Sequence, residues 1–174
     1  MLLGVFMRLL LSALLLGASF AALPVHADDA IGLKPEQLGQ IFCLSRLGSD
    51  EAAIAGLLSP ELRGIIDAAW AKEAAWEEAN PGEKPPLGDG IPWQAWPDYA
   101  AECTVGLATL MKTDAKVEIA YGFPESRDAD FTDTLILKRV VEDATGLARW
   151  RIDNLAYATG GDLRASLAAA FETP

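Results

Sequence analysis

The stretch from residue 150 to residue 170, WRIDNLAYATGGDLRASLAAA, decides how this chain is built. Its first half alternates apolar and polar residues, as a half-buried strand does. Two adjacent glycines then end the strand, and Asp162 begins a segment in which Leu163 and Leu167 recur at helical spacing. The stretch therefore predicts a strand from about 148 to 158, followed by a closing helix.

Three more segments upstream have strand patterns, and short turns separate them. They are ECTVGLATLM (102–111), AKVEIAYGF (115–123) and FTDTLILKRVVE (131–142). The middle segment alternates apolar and charged residues, whereas the centre of the third is apolar on both faces, as expected of an interior strand. Together with the final strand, these segments predict an antiparallel meander.

The first part of the chain has helical spacing instead. A helix is predicted from 35 to 47, a short one from 50 to 58, and a long one from Ser59-Pro60-Glu61 to about 79, where Ser59 caps and Pro60 fits the first turn. Residues 80–97 contain five prolines and three glycines and form a loop. Helices followed by a meander and one closing helix indicate a single α+β domain.

Several segments resemble the nuclear transport factor 2-like superfamily, and within it secreted bacterial families of unknown function. They are Pro97-Asp98-Tyr99, the VEIAYGF strand, and the closing WRIDNLAY with the GGDLRASLAAAF that follows it. The resemblance covers about 35–171. It implies N-terminal helices packed on a curved antiparallel sheet of about four strands, which forms a conical cavity. It does not assign a function, because the superfamily includes enzymes, binding modules and assembly domains.

The N-terminal residues 1–27 have the layout of a secretory signal peptide. Arg8 precedes an apolar run, and Val25-His26-Ala27 forms a small-residue cleavage site before two aspartates. Cleavage after Ala27 would leave residues 28–174 as the single mature domain. The sequence therefore predicts a protein of the periplasm or a secreted protein.

The charge and histidine content exclude several classes of function. The chain has 14 basic and 25 acidic residues and a net charge of −11. Such a surface argues against binding to nucleic acid or to membranes, and would suit a basic protein partner. The one histidine, His26, lies in the predicted signal peptide. The mature chain therefore lacks the histidine of a Ser-His-Asp triad or of a zinc or haem site, and we predict no cofactor.

An acidic segment formed by Glu125, Asp128, Asp130 and Asp133 superficially resembles a calcium loop. An EF-hand loop needs glycine at its sixth position and glutamate at its twelfth, and these positions hold Asp133 and Arg139. We therefore predict no metal site.

Cys43 and Cys103 are the two cysteines of the chain. An even number of cysteines in an exported protein favours a disulfide between them, and the alternative is a pair of buried free thiols.

Asp153 is the candidate catalytic residue, with Tyr157 or Tyr121 as its partner. Alternation places it on a strand face with Tyr157, where it could act as a cavity carboxylate. Cone-fold enzymes such as those resembling ketosteroid isomerase use Asp and Tyr in this way. The favoured alternative is a strand-surface aspartate compensated by Arg151 or by a cross-strand Lys138 or Arg139.

Three aromatic residues, Trp93, Trp96 and Tyr99, are the candidate ligand-binding residues. They lie in or next to the proline-rich loop and could form an aromatic platform for a ligand or a sugar. The alternative is that the two indoles pack on the long helix or close the open end of the cone.

These observations favour an exported, non-catalytic binding domain for a small ligand or a basic protein partner. The first alternative is a cofactor-free isomerase, dehydratase or hydrolase that uses Asp153 with Tyr157 or Tyr121. The second is an acidic inhibitor or immunity protein that blocks a cell-wall enzyme.

Overall fold

The structure, a computed structural model, describes residues 32–141 and 146–172. Within these ranges the chain forms four helices and one sheet of four strands. The helices are α1 (Pro35–Gly48), α2 (Ala52–Ala55), α3 (Pro60–Ala79) and α4 (Leu163–Ala169), and the strands are β1 (Glu102–Leu110), β2 (Asp114–Gly122), β3 (Phe131–Val141) and β4 (Ala148–Ala156). The predicted signal peptide, 1–27, and residues 143–145 of the last predicted turn lie outside the described residues.

The sheet is an open antiparallel meander in the order β1-β2-β3-β4. The predicted α+β class and the predicted strand order are therefore confirmed. Strand β4 ends at Ala156, two residues before the predicted end, because the Tyr157 N–H bonds to the Gly161 carbonyl in the turn that follows. The nuclear transport factor 2-like cone stays a prediction.

One face of the sheet forms the core. Alternate residues of β2 and β3, among them Val117, Ile119, Leu135 and Leu137, point into it and are buried. Helix α1 covers β1 and β2 on this face. A Cβ added at Gly39 would lie 3.0 Å from the Val117 Cγ1, so the absence of a side chain at this position permits the close packing of α1 on the sheet.

The edge of β4 pairs with the segment Leu57–Ser59. The Ile152 N–H bonds to the Leu57 carbonyl and the Ser59 N–H bonds to the Ile152 carbonyl, each at 2.8 Å. The predicted helix 50–58 is accordingly wrong in its second half, because α2 ends at Ala55 and the chain extends to reach the sheet. Ser59 then caps α3 as predicted, since its Oγ accepts the Leu62 N–H at 3.0 Å.

A disulfide joins Cys43 on α1 to Cys103 in β1, as predicted, with 5.3 Å between the two Cα atoms. The alternative of two free thiols is therefore wrong. The bridge fixes helix α1 to the first strand of the sheet and is compatible with an oxidising compartment.

Among the helices that the structure describes, none is both long enough and apolar enough to cross a membrane.

Candidate functional site

The loop between α3 and β1 is held in place by buried side chains of the surrounding elements. Near its start, the buried carboxylate of Glu73 on α3 accepts the Leu87 N–H, at 3.2 and 3.0 Å from its two oxygens. Near its end, Gln94 donates its side-chain N–H groups to the Trp96 and Asp98 carbonyls. A segment rich in proline and glycine is thereby given a fixed conformation.

Asp133 holds the same loop from the sheet. Its side chain is 0% exposed and lies on the core face of β3. One oxygen accepts the Ala95 N–H and the other accepts the Ala158 N–H, both at 2.9 Å. Burial raises the pKa of the Asp133 carboxyl, and the two hydrogen bonds oppose that rise. The sequence grouped Asp133 with Glu125, Asp128 and Asp130 in an acidic segment, but Asp133 lies in β3 with its side chain buried in the core.

Two tyrosines complete the attachment of the loop. The Tyr157 hydroxyl donates to the Pro92 carbonyl at 2.6 Å, and the Tyr121 hydroxyl donates to the Trp93 carbonyl at 3.3 Å. Burial raises the pKa of Tyr157 to about 12, and raises the pKa of Tyr121 further. Both phenols are therefore neutral at neutral pH, and their hydroxyls donate to the loop rather than to Asp153.

Asp153 is the extra residue of a bulge in the β3–β4 register. It is 8% exposed, so the interpretation as a solvated strand residue is wrong. Its Oδ1 accepts from the Ser59 Oγ at 2.7 Å and pairs with the Arg164 Nη2 at 2.6 Å. The predicted compensation by Lys138 is confirmed, with Nζ 3.6 Å from Oδ2. Asp153 thus joins β4 to the starts of α3 and α4.

The three candidate aromatic residues have different environments. Trp93 is 2% exposed and packs edge-on against Phe42, with ring centroids 6.1 Å apart, so it is a packing residue. Tyr99 is exposed, and the Arg46 guanidinium lies 5.6 Å from its ring centroid. Trp96 is 47% exposed, and its Nε1–H donates to the Asp98 carboxylate at 3.2 Å. Of the three, Trp96 is the one that lines a cleft open to solvent.

The cleft beside Trp96 has a volume of about 400 Å³. Its lining combines apolar groups, two hydroxyls and two carboxylates, contributed by Ala95, Trp96, Ser126, Asp128, Ala129, Asp130, Phe131 and Thr159. The loop 80–101 supplies one wall and the turn after β4 supplies a second wall. The 3-10 turn Arg127–Ala129 and the start of β3 form the remainder.

The two carboxylates of the cleft differ in what they contact. Asp130 accepts the Phe123 N–H at 2.7 Å and lies 3.5 Å from the Arg127 guanidinium. In the described part of the chain, no hydrogen bond or ion pair is found for the Asp128 carboxylate. Asp128 is therefore the negative charge that a ligand in this cleft could use.

A second cleft, of about 410 Å³, lies beside the start of α1 and includes Trp150. There the Arg139 guanidinium already lies over the indole, 5.3 Å from the ring centroid. The Trp96 ring has no such contact among the residues described. An aromatic surface open to a ligand is therefore a feature of the Trp96 cleft.

Over residues 32–141 and 146–172, no group of three or more His, Cys, Asp or Glu side chains is arranged to hold a metal ion.

Comparisons of the chain with protein-family models, with curated proteins and with solved structures gave no match.

Proposed function

We propose that this chain is an exported, non-catalytic binding domain that takes a cationic group in the Trp96 cleft. The group would be the guanidinium or ammonium of a small ligand or of a side chain on a basic protein partner. The single observation that carries the proposal is the Trp96 indole, which is 47% exposed in a cleft of about 400 Å³ beside the Asp128 carboxylate.

The chemistry of the cleft supports a cation as the ligand. A guanidinium or ammonium over an indole face gains about 0.5–2 kcal/mol, depending on how far it is desolvated. The Asp128 carboxylate adds a charge-assisted hydrogen bond at the rim, and Phe131 and Ala129 would pack against the alkyl part of the ligand. The net charge of −11 favours the approach of cations over anions at low ionic strength.

The attachment of the loop supports a binding role as well. Ordering a free loop on binding would cost conformational entropy, which reduces affinity. Here Asp133, Tyr121 and Tyr157 already hold backbone groups close to Trp96 in the sequence, at Ala95, Trp93 and Pro92. The aromatic surface is therefore preorganised, because the loop loses most of its conformational entropy when the protein folds and not when the ligand binds.

The same contacts make the two tyrosines less suitable as catalytic acids. Each hydroxyl is committed to a carbonyl of the loop, and Asp153 is committed to Ser59, Arg164 and Lys138. The cofactor-free enzyme stays a prediction without a supporting contact. The inhibitor of a basic cell-wall enzyme is one form of the binding proposal, because a basic side chain of that enzyme would be the cationic group.

The test uses the mature protein and the tripeptide Arg-Arg-Arg, with Cit-Cit-Cit as its neutral counterpart of nearly the same shape. Binding is followed through the indole N–H signals in ¹⁵N-labelled protein, with the Trp96 signal assigned from its loss in Trp96→Phe. We expect tri-arginine to shift the Trp96 signal, and the shift to weaken as salt is raised. Tri-citrulline should produce little change.

Two pairs of variants locate the binding. Trp96→Ala and Asp128→Asn should each weaken tri-arginine binding at least about fivefold. Trp70→Ala and Asp67→Asn are the matched controls, because both residues are exposed on α3, outside the cleft, and Trp70 is 42% exposed. Equal binding by the cleft variants and the controls, or no binding of tri-arginine at low salt, would overturn the proposal.

A further inference from the structure

We propose that Asp133 is the positioning residue of the Trp96 cleft, because its single carboxylate holds two walls of the cleft to strand β3. The effect of Asp133 on ligand binding rests on the proposed function. The attachment of the two walls to Asp133 is shown by hydrogen bonds that do not involve a ligand.

Each oxygen of Asp133 holds one wall. The Ala95 N–H that bonds to Oδ2 belongs to a residue that lines the cleft and directly precedes Trp96. The Ala158 N–H that bonds to Oδ1 belongs to the residue that directly precedes Thr159, which lines the second wall. Asp133 itself lies on the same strand as Phe131, close to the third side of the cleft. Three sides of the cleft therefore meet at one side chain, although they are far apart in the sequence.

An ionised carboxylate suits both contacts, because each of its oxygens accepts one of the two N–H groups. An ionised carboxylate offers acceptors on both oxygens, whereas the side-chain amide of asparagine offers one acceptor oxygen and one NH₂ donor group. In the variant Asp133→Asn, the new NH₂ group would therefore point at one of the two backbone N–H groups. One wall would then lose its attachment, even though the shape of the side chain is nearly unchanged.

The carboxylate is held without a cation. Among the residues described, no ion pair involves Asp133, and its hydrogen bonds come from the two backbone N–H groups. The Tyr121 and Tyr157 phenols interact electrostatically with Asp133 and are neutral, and those tyrosines also interact with Arg46 and Asp162, respectively. Burial raises the pKa of Asp133, so the ionised form is electrostatically unfavourable in this position. The ionised form is the one in which both oxygens accept backbone N–H groups, one from each wall.

The first experiment compares Asp133→Asn with Asp153→Asn. Both remove a buried carboxylate of the sheet, but the contacts described for Asp153 include no residue of the cleft lining. We expect Asp133→Asn to weaken tri-arginine binding at least about tenfold under conditions where urea titration shows it to be folded. Asp153→Asn should bind tri-arginine within about twofold of wild type, despite a lower urea midpoint. Equal affinities for Asp133→Asn and wild type would overturn the positioning role.

The second experiment needs neither ligand nor variant. The amide protons of Ala95 and Ala158 in wild-type protein should shift together as the pH is lowered, with one shared midpoint above 3.8, because both report the same carboxyl group. Different midpoints for the two amides would overturn the inference. If tri-arginine fails to bind wild type while the two amides titrate together, the proposed ligand is wrong but the joining of the walls by Asp133 is supported.

Discussion

Removal of the Cys43–Cys103 bridge should produce a large loss of stability. The two cysteines are separated by 60 positions in the sequence, so the bridge closes a long loop in the unfolded chain. The chain-entropy model gives about 4 kcal/mol for a loop of this length, within the range of about 2–5 kcal/mol measured when native bridges are removed. For a domain of this size that corresponds to a fall in melting temperature of about 10 °C.

The assay is urea unfolding of oxidised wild type, of reduced wild type and of Cys43→Ala/Cys103→Ala. Reduced wild type keeps both sulfur atoms, so its difference from the double variant measures the lost packing of the two cysteine side chains. Its difference from oxidised wild type measures the bridge. A loss below about 1 kcal/mol on reduction would refute the reasoning, because the denatured chain would then not gain the expected freedom.

Four further substitutions test individual positions. Gly64→Ala on α3 should raise the free energy of unfolding by about 1 kcal/mol, because an added Cβ meets nothing within 4 Å. Gly39→Ala should give no such gain, because its Cβ would lie 3.0 Å from the Val117 Cγ1. Equal gains for the two variants in thermal unfolding would contradict this. Asp153→Asn should cost about 2 kcal/mol in urea unfolding at neutral pH, since Arg164 loses its 2.6 Å partner; an unchanged midpoint would show that this contact contributes nothing. Asp162→Ala should cost about 1 kcal/mol at neutral pH, because the Asp162 side chain caps α4 by accepting the Ala165 N–H. That hydrogen bond lowers the pKa of Asp162, so its contribution is present above pH 3.8 and is lost as the pH falls through the lowered pKa. An equal difference between wild type and Asp162→Ala at neutral pH and at about pH 2 would contradict this assignment.

The general architecture could be predicted from the sequence because it depends on periodicity. Alternation in residues 115–123 and helical spacing after Ser59 are local signals. The structure has a strand, β2, at the first and a helix, α3, at the second. The disulfide could be predicted from the cysteine count and the predicted export. The helix predicted for Leu57 and Leu58 is wrong, because these residues lie in a segment that pairs with β4, which is distant in the sequence.

The roles of the site residues could not be predicted from the periodicity of the sequence. Asp153 is the unpaired residue of a bulge in the β3–β4 register, and no local pattern in the sequence marks that bulge. Trp93 and Trp96 lie close together in one irregular loop, and their opposite exposure depends on side chains from β2, β3 and the end of β4. Asp133 could have been found, because it shares its alternation with Leu135 and Leu137 and so falls on the core face.

The pairing of Leu57–Ser59 with β4 has a consequence for the order of folding. Ser59 and Asp153 are hydrogen-bonded although 94 positions separate them, and α3 begins at this junction. Contacts between distant parts of a chain form slowly, because the intervening segment must first be brought together. We expect the three N-terminal helices to remain unconsolidated until β4 has been synthesised. Formation of the last strand would then complete the packing of the N-terminal helices on the sheet.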